Sequence, residues 1–242
     1  MKTAVKITLN PAYEGLRSFV EELPQRFECE GRVIYDARNQ IRAIEHNDLI
    51  INAKRYCVPR PFNRLVYSFL RQPKAVRAYQ NALRLQQMGI ATPTPIAYIL
   101  CGRRLLGESF LVTVQSALPR NFYEFRHHPL QGYEPIVRQF ARFTADIHQK
   151  GVLHLDYSPG NILFDVDADG KAQFLLVDIN RMRFQEQPIG QKAACKNFCR
   201  LWGNQDFFEL LADEYATARG WNKATTRTLI LHYWKQFWKH RK

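Results

Sequence analysis

One stretch restricts the possible folds more than any other: His154-Leu-Asp156-Tyr-Ser158-Pro-Gly160-Asn161-Ile-Leu163, followed by Leu176-Val177-Asp178. Two short apolar runs, Ile162-Leu163-Phe164 and Gln173-Phe174-Leu175-Leu176-Val177, flank Asp165-Val-Asp-Ala-Asp169-Gly170-Lys171. The Asp-Gly step between apolar strands is a hairpin signal. The order is therefore a polar loop carrying a carboxylate, a hairpin, and a strand that ends on a second carboxylate.

These groups suit phosphoryl transfer, which asks little covalent chemistry of a protein. It needs a carboxylate near the attacking hydroxyl and oxygen ligands for magnesium. Asp156 is placed for the first task, and Asn161 and Asp178 for the second. The protein-kinase signature H-R-D-L-x-x-x-N, followed by D-F-G, has the same Asp-to-Asn offset. Here Leu155 stands in place of Arg, and Asp178-Ile179-Asn180 in place of D-F-G. Two readings stand for Ser158: a hydrogen-bonding partner of Asp156 or the phosphate, or a residue that only shapes the Ser-Pro-Gly turn.

A chain of 242 residues with 46% hydrophobic and 13% aromatic content can bury a core, as one domain or two small lobes. Five scattered cysteines suit a reducing compartment, and Cys195 and Cys199 read as buried thiols rather than a metal site. The first ten residues lack the apolar core and cleavage site of a signal peptide, and no window has the run of a spanning helix. A cytoplasmic location is expected, at most peripheral to a membrane. The formal charge of +13 points to nucleic acid, an anionic membrane surface or a phosphorylated substrate as partner.

Residues 1–117 read as a strand-rich lobe with one helix. Strands are expected at 31–36, 40–45 and 49–54, with turns at Ala37-Arg38-Asn39 and His46-Asn-Asp48. Pro73 to Met88 is the clearest helix, with proline at its start and Gly89 just past its end. Gln115 to Pro119 is the natural linker to a mainly helical lobe, residues 118–242. There a helix from Glu134 to Lys150 stops at Gly151, and further helices fall near 190–201, 205–219 and 223–240. The expected fold is α+β and two-lobed, with a small antiparallel sheet and one helix in the first, nucleotide-binding lobe.

A phosphate-holding lysine is sought on a strand ahead of the first helix, and Lys54 fits. The glutamate that orients such a lysine is missing, since Gln80 stands where it belongs; a neutral amide supplies no opposite charge. No G-x-G-x-x-G joins the first two strands. The turn there either offers Arg38 and backbone N–H groups to phosphate or is a solvated hairpin tip.

With these residues in place, the chain resembles the bacterial lipopolysaccharide kinase family, and within it the Bacteroidetes-type members. The resemblance rests on Asn52-Ala-Lys54-Arg-Tyr56, Pro61-Phe-Asn63-Arg64, Gly89-Ile-Ala-Thr-Pro93, Gly151 to Leu163, and Val177-Asp178-Ile-Asn-Arg181-Met-Arg183-Phe184. It implies a protein-kinase-like fold and ATP- and Mg2+-dependent phosphorylation of a sugar hydroxyl on lipid A–core, a Kdo or a heptose. It also implies Asp156 as base, Asn161 and Asp178 as magnesium ligands, and Lys54 on the nucleotide phosphates. The partner is then a lipid-linked sugar on the inner face of the inner membrane, with no role for nucleic acid. A RIO-like protein kinase and a pseudokinase binding module are the alternatives.

Two segments bear on membrane contact. Arg55, Arg60, Arg64, Arg71, Lys74 and Arg77 are threaded with Phe62, Leu65, Val66, Tyr67, Phe69 and Leu70. Tyr233 to Lys242 mixes tryptophan with lysine, which suits either an interfacial helix or a core helix with solvated lysines. Arg181 and Arg183 are placed to bind acceptor anions or to lie on the surface.

Overall fold

The computed structural model describes residues 5–58, 72–102, 105–126 and 129–239. The chain divides into two compact units, Met1–Gln87 with Thr92–Ala117, and Met88–Ala91 with Leu118–Lys242.

The first unit contains β1 (Val5–Leu9), α1 (Arg17–Arg26), β2 (Arg32–Asp36), β3 (Gln40–His46), β4 (Leu49–Tyr56), α2 (Lys74–Gln87), β5 (Pro95–Cys101) and β6 (Ser109–Val114). Its six strands form one antiparallel sheet in the order β1-β5-β6-β4-β3-β2. Alternation gives that sheet two faces. On one, Phe19, Val20 and Leu23 of α1, with Phe27, pack among Ile44, Ile51, Ala53, Ile99 and Phe110. On the other, Tyr79 of α2 meets Tyr98 of β5 with ring centroids 5.3 Å apart. Among the described residues the unit thus holds two α-helices where the sequence suggested one. The unforeseen helix, α1, has Pro24 inside it and no side-chain N-cap bond, so its start and end signals are weak.

The second unit contains β7 (Arg120–Asn121), α3 (Glu134–Gln149), β8 (Val152–His154), β9 (Ile162–Val166), β10 (Ala172–Leu176), β11 (Met182–Phe184), α4 (Gln191–Asn197), α5 (Gln205–Arg219) and α6 (Lys223–Lys239). Short 3-10 turns lie at Phe122–Arg126, Pro159–Asn161 and Phe198–Arg200. The strands form two small sheets, β10-β9-β7 and β11-β8. Phe122 sits at the centre of an aromatic core, its ring 4.1 Å from Phe140, 4.8 Å from Phe125 and 5.4 Å from Phe164. Fully burying one such ring is worth about 1.5–3 kcal/mol, so this cluster is the anchor on which the loops between strands are hung.

The β9–β10 hairpin turns at Asp167 to Gly170, where the Asp167 carboxylate accepts from the N–H groups of Asp169 (3.1 Å) and Lys171 (2.8 Å). Gln139 of α3 clamps the hairpin from outside, donating to Gly170 O and accepting from Ala172 N, both at 2.9 Å.

Gly151 links α3 to β8. Its φ is +74°, and a Cβ there would lie 2.0 Å from the Gln185 carbonyl oxygen and 3.0 Å from that of Gln187. Neither backbone oxygen can swing aside, because the Gly151 carbonyl also accepts from Gln185 N at 3.0 Å. Gly151→Ala is expected to cost at least about 1–3 kcal/mol for the left-handed backbone alone. A lowered thermal midpoint checks this, and an unchanged one would count against the placement of residues 150–152.

The carboxyl-terminal helix packs one face onto the second unit. Ile230 is fully buried, the Trp234 ring lies 4.4 Å from that of Phe208, and Trp238 Nε1 donates to Leu201 O at 3.3 Å. Both tryptophans of this helix are half-buried in that packing. Residues 240–242 lie outside the described residues, as do Arg60, Pro61, Phe62, Asn63, Arg64 and the rest of the basic run through Arg71. Among the described residues no helix is long and apolar enough to cross a membrane.

Candidate active site

Asp156, Asn161 and Asp178 are brought together in the second unit by the β9–β10 hairpin and the β8–β11 pair. The hairpin places Leu176 opposite Ile162, and Val177 N donates to Asn161 O at 3.0 Å, one residue before Asp178. On the other side, Met182 pairs with His154 and Leu155 N donates to Arg181 O at 2.8 Å.

His154 joins the two segments. It is buried; its Nδ1 accepts from Asp156 N at 3.1 Å, and its Nε2 lies 3.0 Å from Val177 O. That pattern requires an imidazole protonated on Nε2 alone. Burial lowers the His154 pKa from its ordinary value, against the pull of the Val177 carbonyl and the nearby carboxylates of Asp178 and Asp156.

The loop after His154 is closed by its own hydrogen bonds. Ser158 N and Asn161 Nδ2 both donate to Asp156 O at 2.8 Å, and Asn161 N donates to Ser158 O at 2.9 Å. Both of these Ser158 bonds are backbone bonds of the turn. Tyr157 points into the core, its hydroxyl 2.8 Å from Thr144 Oγ1 on α3. With its amide nitrogen turned to the loop, Asn161 presents its oxygen for other use.

Asp178 has a φ of 53°, a conformation that is uncommon outside glycine and clusters at functional sites. Its Oδ1 accepts from Asn180 Nδ2 at 2.7 Å. Asn180 and Ile179, which replace the Phe-Gly of the kinase triplet, are both buried. Among the described residues Asn180 Oδ1 is buried without a hydrogen-bond partner, which is the cost of aiming its amide at the carboxylate.

A buried relay supports this arrangement from beneath. Arg219 Nη1 donates to the Tyr215 oxygen (2.9 Å), and Tyr215 Oη is 2.7 Å from His148 Nδ1. His148 Nε2 is 3.0 Å from Asn197 Oδ1, and Asn197 Nδ2 donates to His154 O at 2.9 Å. The bonds from Tyr215 to Asn197 are consistent if Tyr215 donates to a neutral His148 that donates to Asn197. Burial, assisted by Arg219 and opposed by Asn197, pushes the His148 pKa down to about 4. Burial also pushes the Cys195 thiol on α4 up to about 12.

Lys54 belongs to the first unit, on the inner strand β4, opposite Ile41 and Leu111. By alternation it faces away from Ile51 and Ala53. Leu111 pairs with Tyr98, which touches Tyr79 of α2, so Lys54 shares the sheet face on which α2 packs. Its Nζ lies 5.2 Å from the Tyr56 ring centroid. Gln80 is exposed on α2. In the β2–β3 turn, Asp36 and Gln40 bond to each other at 3.1 Å, and Arg38 is exposed.

Two carboxylates and an amide gathered by a strand-loop-hairpin, with a strand lysine on the helix-bearing face of a separate antiparallel sheet, define a protein-kinase-like fold. The model of the Lipopolysaccharide kinase (Kdo/WaaP) family matches residues 59–233, most of the chain. The chain belongs to that family and is a kinase. Among solved structures, WaaP in complex with acyl carrier protein is similar with a TM-score of 0.63 at 18% identity, covering 96% of this chain and 99% of that one. At that identity the likeness speaks for the fold. No curated protein matches significantly.

Sequence reading passed over Arg200, Asn197 and His148, and noted Asn180 only as part of the triplet that replaces D-F-G.

Proposed function

We propose that this kinase transfers the γ-phosphoryl group of ATP to a sugar hydroxyl of lipid A–core, with magnesium. The observation that carries the reading is the convergence of Asp156, Asn161 and Asp178 on one loop and one strand end, within a lipopolysaccharide kinase family member. Asp156 orients the acceptor hydroxyl and takes its proton as the oxygen–phosphorus bond forms and ADP departs. The Asn161 amide oxygen and the Asp178 carboxylate are the hard oxygen donors a magnesium ion prefers. That ion, when bound, neutralises charge on the β- and γ-phosphates. Asn180 holds the Asp178 carboxylate in place, and His154 keeps the two segments in register. Lys54 steadies the nucleotide phosphates, with no glutamate at position 80 to orient it.

Residues 1–117 supply the nucleotide half in this reading, and 118–242 the acceptor and metal half. A net charge of +13 suits a phosphorylated, lipid-linked acceptor on an anionic membrane surface.

The experiment is transfer of labelled γ-phosphate from ATP to dephosphorylated lipid A–core, with magnesium and with EDTA. Label should enter the lipid in magnesium alone, and Asp178→Asn should raise the magnesium concentration needed for half-maximal rate by about tenfold or more, as losing one charged ligand implies. Failure to label any lipid A–core preparation, with ATP still bound, would move the acceptor elsewhere.

A further inference from the structure

Two arginines flank the carboxylate proposed as base. Arg200 Nη1 donates to Asp156 Oδ1 at 2.7 Å, and Arg181 Nη1 lies 4.0 Å from Oδ2. They arrive from different parts of the unit. Arg181 follows the Asp178 turn, and Arg200 closes the 3-10 turn after α4. Two guanidiniums thus stand against the one carboxylate proposed as base, beside the place where the acceptor hydroxyl must lie.

The turn carrying Arg200 is firmly held. Leu201, the next residue, is fully buried and accepts from Trp238. Trp202 packs against both Trp238 and the exposed ring of Tyr123, at 6.1 and 4.7 Å. The Arg200 guanidinium carbon lies 5.5 Å from the Phe237 ring centroid, a cation–π distance that orients its plane. Its side chain remains 35% accessible and that of Arg181 50%.

A stabilising ion pair does not account for this arrangement, because partly exposed pairs contribute little. A carboxylate that must meet a hydroxyl is also poorly served by a cation with no other task. Among the described residues the hydrogen bond of Arg200 goes to Asp156 through Nη1. The Nε and Nη2 donors form the guanidinium edge that pairs bidentately with carboxylate or phosphate.

We propose that Arg200, assisted by Arg181, is a specificity-determining residue that binds an anionic substituent, a carboxylate or a phosphate, on the sugar being phosphorylated. Arg200 then bridges acceptor and base: Nη1 holds Asp156, and the Nε/Nη2 edge holds the acceptor anion. The hydroxyl to be phosphorylated is thereby presented to Asp156 at a set distance from that anion. A neutral sugar of the same shape leaves the guanidinium edge unpaired and binds poorly. This inference rests on the acceptor reading above.

The test compares wild type, Arg200→Gln and Arg200→Lys on three lipid A–core preparations, all from cells lacking this kinase so that the acceptor hydroxyl is free: untreated, carboxyl-methylated and phosphatase-treated. In wild type, one of the two treatments should raise the acceptor KM on the order of tenfold, the worth of a charge-assisted bond. Which treatment does so identifies the anion. Arg200→Gln should show that raised KM on the untreated acceptor and no further response to the treatment, with the KM for ATP within about twofold of wild type. Arg200→Lys should recover part of the loss. Equal use of all three preparations by wild type would overturn the inference. So would a fall in kcat alone, equal on every preparation, since Arg200 would then only position Asp156. If wild type phosphorylates none of them, the acceptor reading fails by itself. Saturable binding of glucuronate or inorganic phosphate, lost in Arg200→Gln, would still support the anion site, and its absence would overturn it.

Discussion

Asp156→Asn is expected to lower phosphoryl transfer by about 10²–10⁴-fold, the usual contribution of a positioned proton acceptor, while the protein stays folded. The asparagine keeps the shape of the side chain and an oxygen for Arg200. The backbone of residue 156 is held independently, by His154 Nδ1 on its N–H and by Ser158 and Asn161 on its carbonyl. The ion pair to Arg200 is partly exposed, so losing its charge should change stability by no more than about 1 kcal/mol. Labelled-phosphate transfer and a thermal melt on the same sample separate chemistry from folding. Activity within a few-fold of wild type would remove Asp156 from the role of base and leave the metal and nucleotide contacts to carry the reaction, as a loose transition state permits.

Acidification below about pH 6.5 should destabilise the second unit. His148 is fully buried and held neutral, its pKa pushed from 6.5 down to about 4. In the unfolded chain the same imidazole takes up a proton near pH 6.5. Between those values the unfolded state binds more protons, so stability rises with pH through this window and is lost as pH falls from 6.5 toward 4. Each unit is worth about 1.4 kcal/mol per histidine. A drop from pH 7 to pH 5 should therefore cost roughly 2 kcal/mol from His148. The lowered pKa of His154 acts in the same direction. Urea unfolding at the two pH values measures the slope, and His148→Gln should flatten it even if that variant is less stable overall. An equal slope in the variant would mean that other groups set the acid response. Because Asn197 ties His148 to the carbonyl of His154, the same protonation should loosen the strand that leads into the Asp156 loop.

The segment from His154 to Asp178 was readable in the chain because its parts are local. A hairpin signalled by Asp-Gly and flanked by apolar runs can close only in a few ways, so spacing alone brings Asn161 toward Asp178. The helices at 74–87 and 134–149 were readable for a similar reason, each with proline at its start, glycine past its end and an apolar stripe at helical period. The carboxyl-terminal helix was readable as a helix but not as core or interface. Tryptophan and lysine at helical spacing serve either, and the packing of Trp234 on Phe208 decided it.

Other features depend on partners far away in the chain. Val5–Leu9 becomes a strand because Pro95–Cys101 offers it an edge, and no periodicity in five residues announces such a partner. Arg200 reaches Asp156 across 44 residues, and His148, Asn197 and His154 meet from three separate elements. The sequence by itself determined which residue types were available for phosphoryl transfer and the local geometry that groups three of them. The charge beside Asp156, the protonation state of His148 and His154, and the support beneath the loop were decided by tertiary structure. Burial and long-range hydrogen bonds set those properties, and both arise only when distant segments pack together.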